Sequence, residues 1–439
     1  MALLDFSRSL EETRELEKAA PAWGAAKRLL FRFVFAYLVL YIFPFPLSVI
    51  PGVGIVLQPY EKLWNWLVPW VGKHVFRVDI TVLPNGSGDT TYNWVQVFCF
   101  LILAGVATLV WTLLDRSRTD YARFHQWLRV YVRFWLATVM ISYGAAKVIP
   151  TQFPSPALDR LLQPIGDSSP MGILWTFMGA SAAYTIFSGA AEMLGGLLLI
   201  ARRTTLLGAL VCIGVLTNVV VLNFCYDVPV KLYSCHLLAA AVFLAAPDLR
   251  RLADLLVFNR RVEPVEHRPL FKRPWLHRGS LALRTVFVVG FAVLSLYETQ
   301  QLRKTHLDAP LKPPLSGLWN VDEFAVDGRV RPPLVTDETR WRRVVFRAPE
   351  TMAVLLMDDS RQRYVFAFDE KKSTVALTKR DDPKWKSAFS LQQTEPGLLA
   401  LEGTLDGRRI RARLRRVEAP EFRLVSRGFH WINEYPYNR

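Results

Sequence analysis

RFWLATVMISYGAAKVIP, residues Arg133–Pro150, decides how the chain folds, because it is apolar and long enough to cross a bilayer yet carries Arg133 and Lys147. A helix here puts Arg133, Met140, Gly144 and Lys147 along one stripe. Further on, YTIFSGAAEMLGGLLLIARR (184–203) aligns Tyr184, Ser188 and Glu192 in the same way, with Gly195 and Gly196 one turn later. An ionisable group at that depth costs about 2.5 to 3.5 kcal/mol on insertion scales, so it faces a partner or a cavity. The pattern predicts a polar site inside a bundle of membrane helices.

Working outward, composition agrees. The 439 residues are 51% hydrophobic and include 14 Trp, which is the profile of an integral membrane protein. The net charge is +16, and most basic residues up to about position 284 sit in short loops between apolar spans, where they orient the chain, so nucleic acid is not an expected partner. Membrane lipids are. The first 27 residues are charged before they are apolar and lack a cleavage site, so they predict a cytoplasmic segment with a short helix at 10–19, not a cleavable signal peptide.

Seven spans follow, at about 29–50, 93–114, 127–148, 184–201, 206–224, 228–246 and 281–297. Pro44 and Pro46 should kink or end the first. Between the first two lies EKLWNWLVPWVGKHVF, whose Trp64, Trp66 and Trp70 suit an interfacial helix at headgroup level. The loop at 150–172 is rich in Pro and Ser. The amino end and the loops after spans two, four and six carry nineteen Lys and Arg, whereas the loops after spans one, three and five carry five. That bias puts the amino end in the cytoplasm and the carboxyl end outside, extracellular or, if the cell is Gram-negative, in the periplasm, with the bundle in the bacterial inner (plasma) membrane.

The expected organisation is a cytoplasmic segment (1–27), two spans with an interfacial segment (28–125), a four-helix unit (126–249), a basic loop with a seventh span (250–299), a Pro-rich linker (300–315) and an outer domain (316–439). In the last, RRVVFRA, TMAVLLMD, RYVFAFDE, STVALTK, SAFSLQQ, LLALEGTL and RIRARLRRV alternate between turn signals. Seven or eight such strands predict a small antiparallel barrel or sandwich. Its opening Gly317-Leu318-Trp319 resembles the G-x-W of lipocalin-like barrels.

The polar residues of the spans define the expected site. Lys147 and Glu192 are the candidate catalytic pair; Arg133, Tyr143, Tyr184, Asn218, Asn223, Lys231 and His236 are the candidate ligand-binding residues. A buried Glu192 needs a cation, either Arg133 or Lys147. The same residues also allow a plainer reading, with Arg133 and Glu192 as an interhelical fastener, Lys147 and Lys231 reaching to the headgroups, and the asparagines bonding helix to helix. Asp227 and Lys231, four apart, read as a pair at the start of a span. His236 has no second ligand at metal spacing, and no metal is expected. Cys99, Cys212, Cys225 and Cys235 form no CxxC and read as small buried hydrophobes, with a Cys225–Cys235 bridge left open by spacing. No Walker loop, GxGxxG, HExxH or serine triad pattern is present.

G-x-x-K at the end of one span (Gly144 to Lys147), AAEMLGG in the next with Glu192, and the basic turn ARRT resemble the DoxX-type membrane proteins over about Arg129–Leu249. Members of that group are four-helix membrane units, some of them subunits of quinol oxidase or partners in thiol redox systems. The G-x-x-K also resembles the membrane domain of vitamin K-dependent gamma-carboxylases, in which the matching lysine, here Lys147, is the base acting on the reduced quinone. The resemblance implies a quinone-like or other lipophilic ligand, a redox partner protein and proton exchange at Lys147, with Glu192 and Arg133 setting its charge state. A membrane anchor for an outer barrel that binds a lipid or a protein is the alternative.

Overall fold

The structure, a computed structural model, describes residues 22–82, 85–263, 273–307, 315–347, 350–379, 381–382, 384–418 and 421–438. The expected helix at 10–19, part of the Pro-rich linker and part of the basic loop lie outside them. The chain divides into two compact units, one of residues 1–145 with 188–296, the other of 146–187 with 297–439.

The first unit is a bundle of membrane helices. Among the described residues six stretches are long and apolar enough to cross a membrane: Ala25–Val49, Thr91–Leu114, Ala182–Ile200, Thr205–Cys225, Lys231–Leu256 and Arg278–Thr305. The chain is a multi-pass membrane protein. Helix α1 (Ala25–Ile42) stops at the Pro44 and Pro46 pair, since a residue before proline is pushed out of the helical region. Helix α2 (Gly54–Val71) includes the Trp-rich stretch but begins well before it. Trp66 and Trp70 are exposed as an interfacial helix would have them. Trp64 instead falls on the stripe with Leu57, Val68 and Val71. It packs on Val95, Cys99 and Phe100 of α3 (Thr91–Leu114), a helix whose start is closed by reciprocal bonds between Thr90 and Asn93.

The expected third span is helix α4 (Ala122–Val148), which is 27 residues long. It is not one of the six apolar stretches, because it carries Arg123, Arg129, Arg133 and Lys147. Packing explains how that is tolerated: Val132, Leu136, Ala137, Ile141 and Ala145 have no exposed surface, so the helix is wrapped by protein and its apolarity need not match lipid.

Beyond α4 come two short helices, α5 (Leu158–Leu161) and α6 (Pro170–Ala180), and then three long ones, α7 (Ala182–Ile200), α8 (Thr205–Cys225) and α9 (Lys231–Ala245). Glycines set their spacing. A Cβ at Gly144 would lie 2.7 Å from the Gly189 carbonyl, and one at Gly196 would lie 2.9 Å from the Ala137 carbonyl, so α4 and α7 run antiparallel with backbones nearly touching. Gly208 of α8 meets the Leu199 amide in the same way, at 2.8 Å. Helices α10 (Leu249–Leu256) and α11 (Pro274–Leu302) complete the membrane part.

The second unit holds the barrel. Strands β1 (Gly317–Val326), β2 (Arg329–Val330), β3 (Trp341–Arg347), β4 (Thr351–Leu356), β5 (Arg361–Asp369), β6 (Thr374–Thr378), β7 (Lys386–Glu395), β8 (Leu398–Leu405) and β9 (Arg408–Arg416) are all antiparallel. β1 pairs with both β3 and β9, which closes eight strands into a barrel and leaves β2 as a two-residue flap. Alternation along each strand sends Trp319, Phe324, Trp341, Phe346, Tyr364, Phe366 and Phe389 inward. At about 1.5–3 kcal/mol for each large side chain buried, this filled interior accounts for a domain that stands by its own core. Trp319 of the G-x-W is fully buried and donates to the Leu315 carbonyl at 2.8 Å.

Residues 150–187, which take in the Pro- and Ser-rich loop at 150–172 and the first residues of the expected fourth span, group with the barrel. Leu158 and Leu162 pack on an apolar patch of its outer face made by Leu318, Val345, Ala353 and Leu355. Beside them Asp159, with no exposed surface, meets Arg363 at 2.8 Å, Arg361 at 3.4 Å and Arg347 at 3.6 Å.

Candidate functional site

Within the membrane unit, polar side chains gather along one side of α9. His236 is on α9, and its Nδ1 donates to the Leu232 carbonyl at 2.7 Å, which leaves Nε2 to accept the Tyr37 hydroxyl at 2.5 Å. The imidazole stacks on Tyr41 with ring centres 4.0 Å apart and planes 7° from parallel. Tyr37 and Tyr41 come from α1, where their spacing of four puts both on one face. Tyr41 also meets Trp135 of α4 edge-on. One turn earlier on α9, Tyr233 lies 6.3 Å from the ring of Tyr143 on α4. Glu192, 4% exposed on α7, acts electrostatically on Tyr143 and on Cys212 of α8. A carboxylate, a thiol, four phenols and an imidazole thus lie among the otherwise apolar helices of this unit.

Of the residues expected to meet, Glu192, Tyr143 and His236 belong to this group. Lys147 is grouped with the outer unit; it is buried there, with its ammonium 5.9 Å from the Phe153 ring. The others lie elsewhere. Arg133 is fourteen residues before Lys147, about 21 Å along the helix, and donates to the Thr205 hydroxyl at 3.2 Å, so it is at the opposite end of the bundle. Asn223 bonds Ser234 at 3.0 Å, joining α8 to α9, while Asn218 faces outward. Lys231 pairs with Asp227 at 2.8 Å at the start of α9. Asp89 accepts the Lys231 and Leu232 amides there and closes the helix end. Tyr184 is exposed beside Phe177. Cys225 and Cys235 are free thiols.

Sequence reasoning missed Tyr37, Tyr41 and Tyr233. The signal for the first two is their i, i+4 spacing in the first span. The fold alone supplies their partner on α9.

The outer unit has a cleft of about 410 Å³ lined by Asp159, Gln163, Asp167, Asp358, Asp359 and Arg361 among others. Its walls are polar, unlike those of a site for a lipophilic ring. Among the described residues no three His, Cys, Asp or Glu side chains are placed to hold a metal ion.

Over 143 residues the chain is 33% identical to the uncharacterized protein YwoB of Bacillus subtilis; the match spans 32% of this chain and 87% of YwoB. No family model and no solved structure matches it.

Proposed function

The chain belongs to the same family as YwoB, and we propose that it binds a quinone-like ligand in its membrane bundle and exchanges protons with it in membrane-linked redox chemistry. The observation that carries this reading is the Tyr37–His236 hydrogen bond stacked on Tyr41 inside an apolar bundle. A neutral imidazole with a phenol as its donor can pass a proton in either direction. A quinone is flat and apolar with an oxygen at each end, so it suits aromatic walls and hydroxyl donors. Glu192 beside Tyr143 supplies a further proton-exchanging group on the far side of Tyr233. The DoxX-like G-x-x-K pattern adds Lys147, whose burial fits a proton-exchange role. Electrons would pass to a redox partner protein. Solvent extraction of protein purified from native membranes, followed by mass spectrometry, should recover a quinone from the wild type. His236→Leu and Lys147→Met should fold and lose it. A wild-type preparation without quinone overturns the reading.

The competing reading is a non-catalytic anchor that presents the outer barrel. The barrel's filled interior favours a protein over a lipid as ligand on that account. It predicts no bound quinone and no effect of either variant on cell redox behaviour.

Orientation is part of the proposal: the amino end inside the bacterial inner membrane, the barrel outside. Two features support it. One is the nineteen-to-five bias of Lys and Arg. The other is the grouping of the segment after α4 with the barrel after α11, as expected of segments that share one side. Reporter fusions after Arg439 and near Arg261 should be active outside and inside respectively; activity on the same side overturns it.

A further inference from the structure

Arg133 is 5% exposed and incompletely bonded. Its Nη1 donates to Thr205, its guanidinium lies 5.0 Å from the Phe134 ring, and its Nε and Nη2 have no hydrogen-bond partner. The charges acting on it come from Arg284, Arg202 and Arg129, all of its own sign. Of these, Arg129 bonds the Leu244 carbonyl at 3.0 Å and stands 3.6 Å from Asp248. Arg133 is thus under the influence of three other guanidiniums, one of which, Arg129, has Asp248 at its side. The start of α8 adds to the same potential. Thr204 at its N-cap turns its hydroxyl back to the Leu198 carbonyl, so no side chain caps the first amides of that helix.

A buried guanidinium with two nitrogens left over is unfavourable unless an anion joins it, because buried donors without acceptors oppose folding. We propose that this end of the bundle binds the phosphate of an anionic phospholipid, with Arg133 as the buried anchor and Arg284 at the entrance. The surroundings favour a lipid over a free ion. Leu207 at the start of α8, and Leu283, Val286 and Val289 around Arg284 on α11, are exposed apolar side chains that acyl chains can cover. Phosphate accepts from several guanidinium nitrogens at once, which satisfies both orphaned positions of Arg133. The charge bias of the loops puts this end in the cytoplasmic leaflet, where anionic lipids are held.

The test is thermal unfolding of the full chain in neutral detergent with added phosphatidylglycerol, phosphatidylcholine or inorganic phosphate. Phosphatidylglycerol should raise the melting temperature in a saturable way, and the other two should not. Arg284→Gln, at a partly exposed position, should weaken the phosphatidylglycerol effect about fivefold and leave the lipid-free melting temperature in place. Arg133→Met should abolish the effect. Equal shifts from phosphatidylcholine, or a full shift from inorganic phosphate, would overturn the lipid assignment. An unchanged phosphatidylglycerol response in Arg284→Gln would overturn the site, even if Arg133→Met failed to fold.

Discussion

Arg32 and Arg133 are each 5% exposed, and both lie on long helices of the membrane unit, yet their surroundings are opposite. Arg32 uses every nitrogen: Nε and Nη2 donate to the Tyr121 hydroxyl at 2.9 and 2.6 Å, Nη1 to Thr112 at 2.8 Å, and Nη2 also to the Asp115 carbonyl at 2.8 Å. The Tyr121 hydroxyl in turn donates a hydrogen bond to the Asp115 carboxylate at 3.1 Å. That network ties α1 to the end of α3 and the start of α4. Arg133 has one bond, and two nitrogens are left over. A buried charge that is fully bonded is architecture; one that is not is waiting for a ligand or tolerating a cost.

The largest expected effect tests this contrast directly. Arg32→Met removes four hydrogen bonds and leaves buried acceptors empty, which should destabilise the bundle by about 3–5 kcal/mol. Arg133→Met removes an uncompensated charge and should change lipid-free stability by less than about 1 kcal/mol in either direction. Unfolding of both variants in the same neutral detergent decides it. Equal losses would dissolve the distinction between the two arginines.

Asp159 extends the comparison to the outer unit, where one carboxylate is held by three arginines. Asp159→Asn should leave the barrel folded, because its core lies on the other side of the sheet. The segment around α5 should release, at a cost of about 3 kcal/mol. Limited proteolysis between Pro150 and Ser169 would then cut the variant much faster than the wild type. A related expectation follows for the barrel expressed from Leu311. It should give the circular dichroism of a β-domain, yet self-associate, because Leu318, Val345, Ala353 and Leu355 lose the cover of Leu158 and Leu162. A monomeric fragment by light scattering would show that this contact is dispensable.

Features with a local period were legible in the sequence. All seven alternating runs are strands, since period-two burial and turn residues are local signals. The membrane helices follow from apolar length. Within the site, Glu192 and His236 stood out as polar groups in apolar spans. What stayed hidden depends on distant partners. Asp159 sits in a Pro- and Ser-rich loop, and only the barrel, some two hundred residues later, brings Arg361 and Arg363 to it. Arg32 obeys the rule that singled out Arg133, but it stands near the start of a span, where basic residues ordinarily flank the membrane. Asn218 was avoidable: five residues from Asn223, it cannot share that residue's helix face. Glycine spacing in G-x-x-K carried a packing message as well as a chemical one, since Gly144 is where α7 comes closest.

The smallest expected effect lies in the connection between β2 and β3, where a carboxylate is fully bonded as Arg32 is. Burial alone would raise the Asp337 pKa. Bonds from the Thr339 hydroxyl at 2.7 Å, the Thr339 amide at 2.9 Å and Arg331 at 3.2 Å outweigh it and hold the carboxyl down at about 2. The folded pKa is therefore below the unfolded one, so the stabilisation is complete above about pH 4 and disappears as pH falls through about 2. Because the side chain is partly open to water, the contribution is on the order of 1 kcal/mol. Melting of the isolated barrel between pH 4.5 and about 2 should show it as a loss that Asp337→Asn lacks, the variant being less stable at the upper pH and level with the wild type at the lower. Parallel curves for the two proteins across that window would mean that the Thr339 and Arg331 bonds do not favour the ionised form.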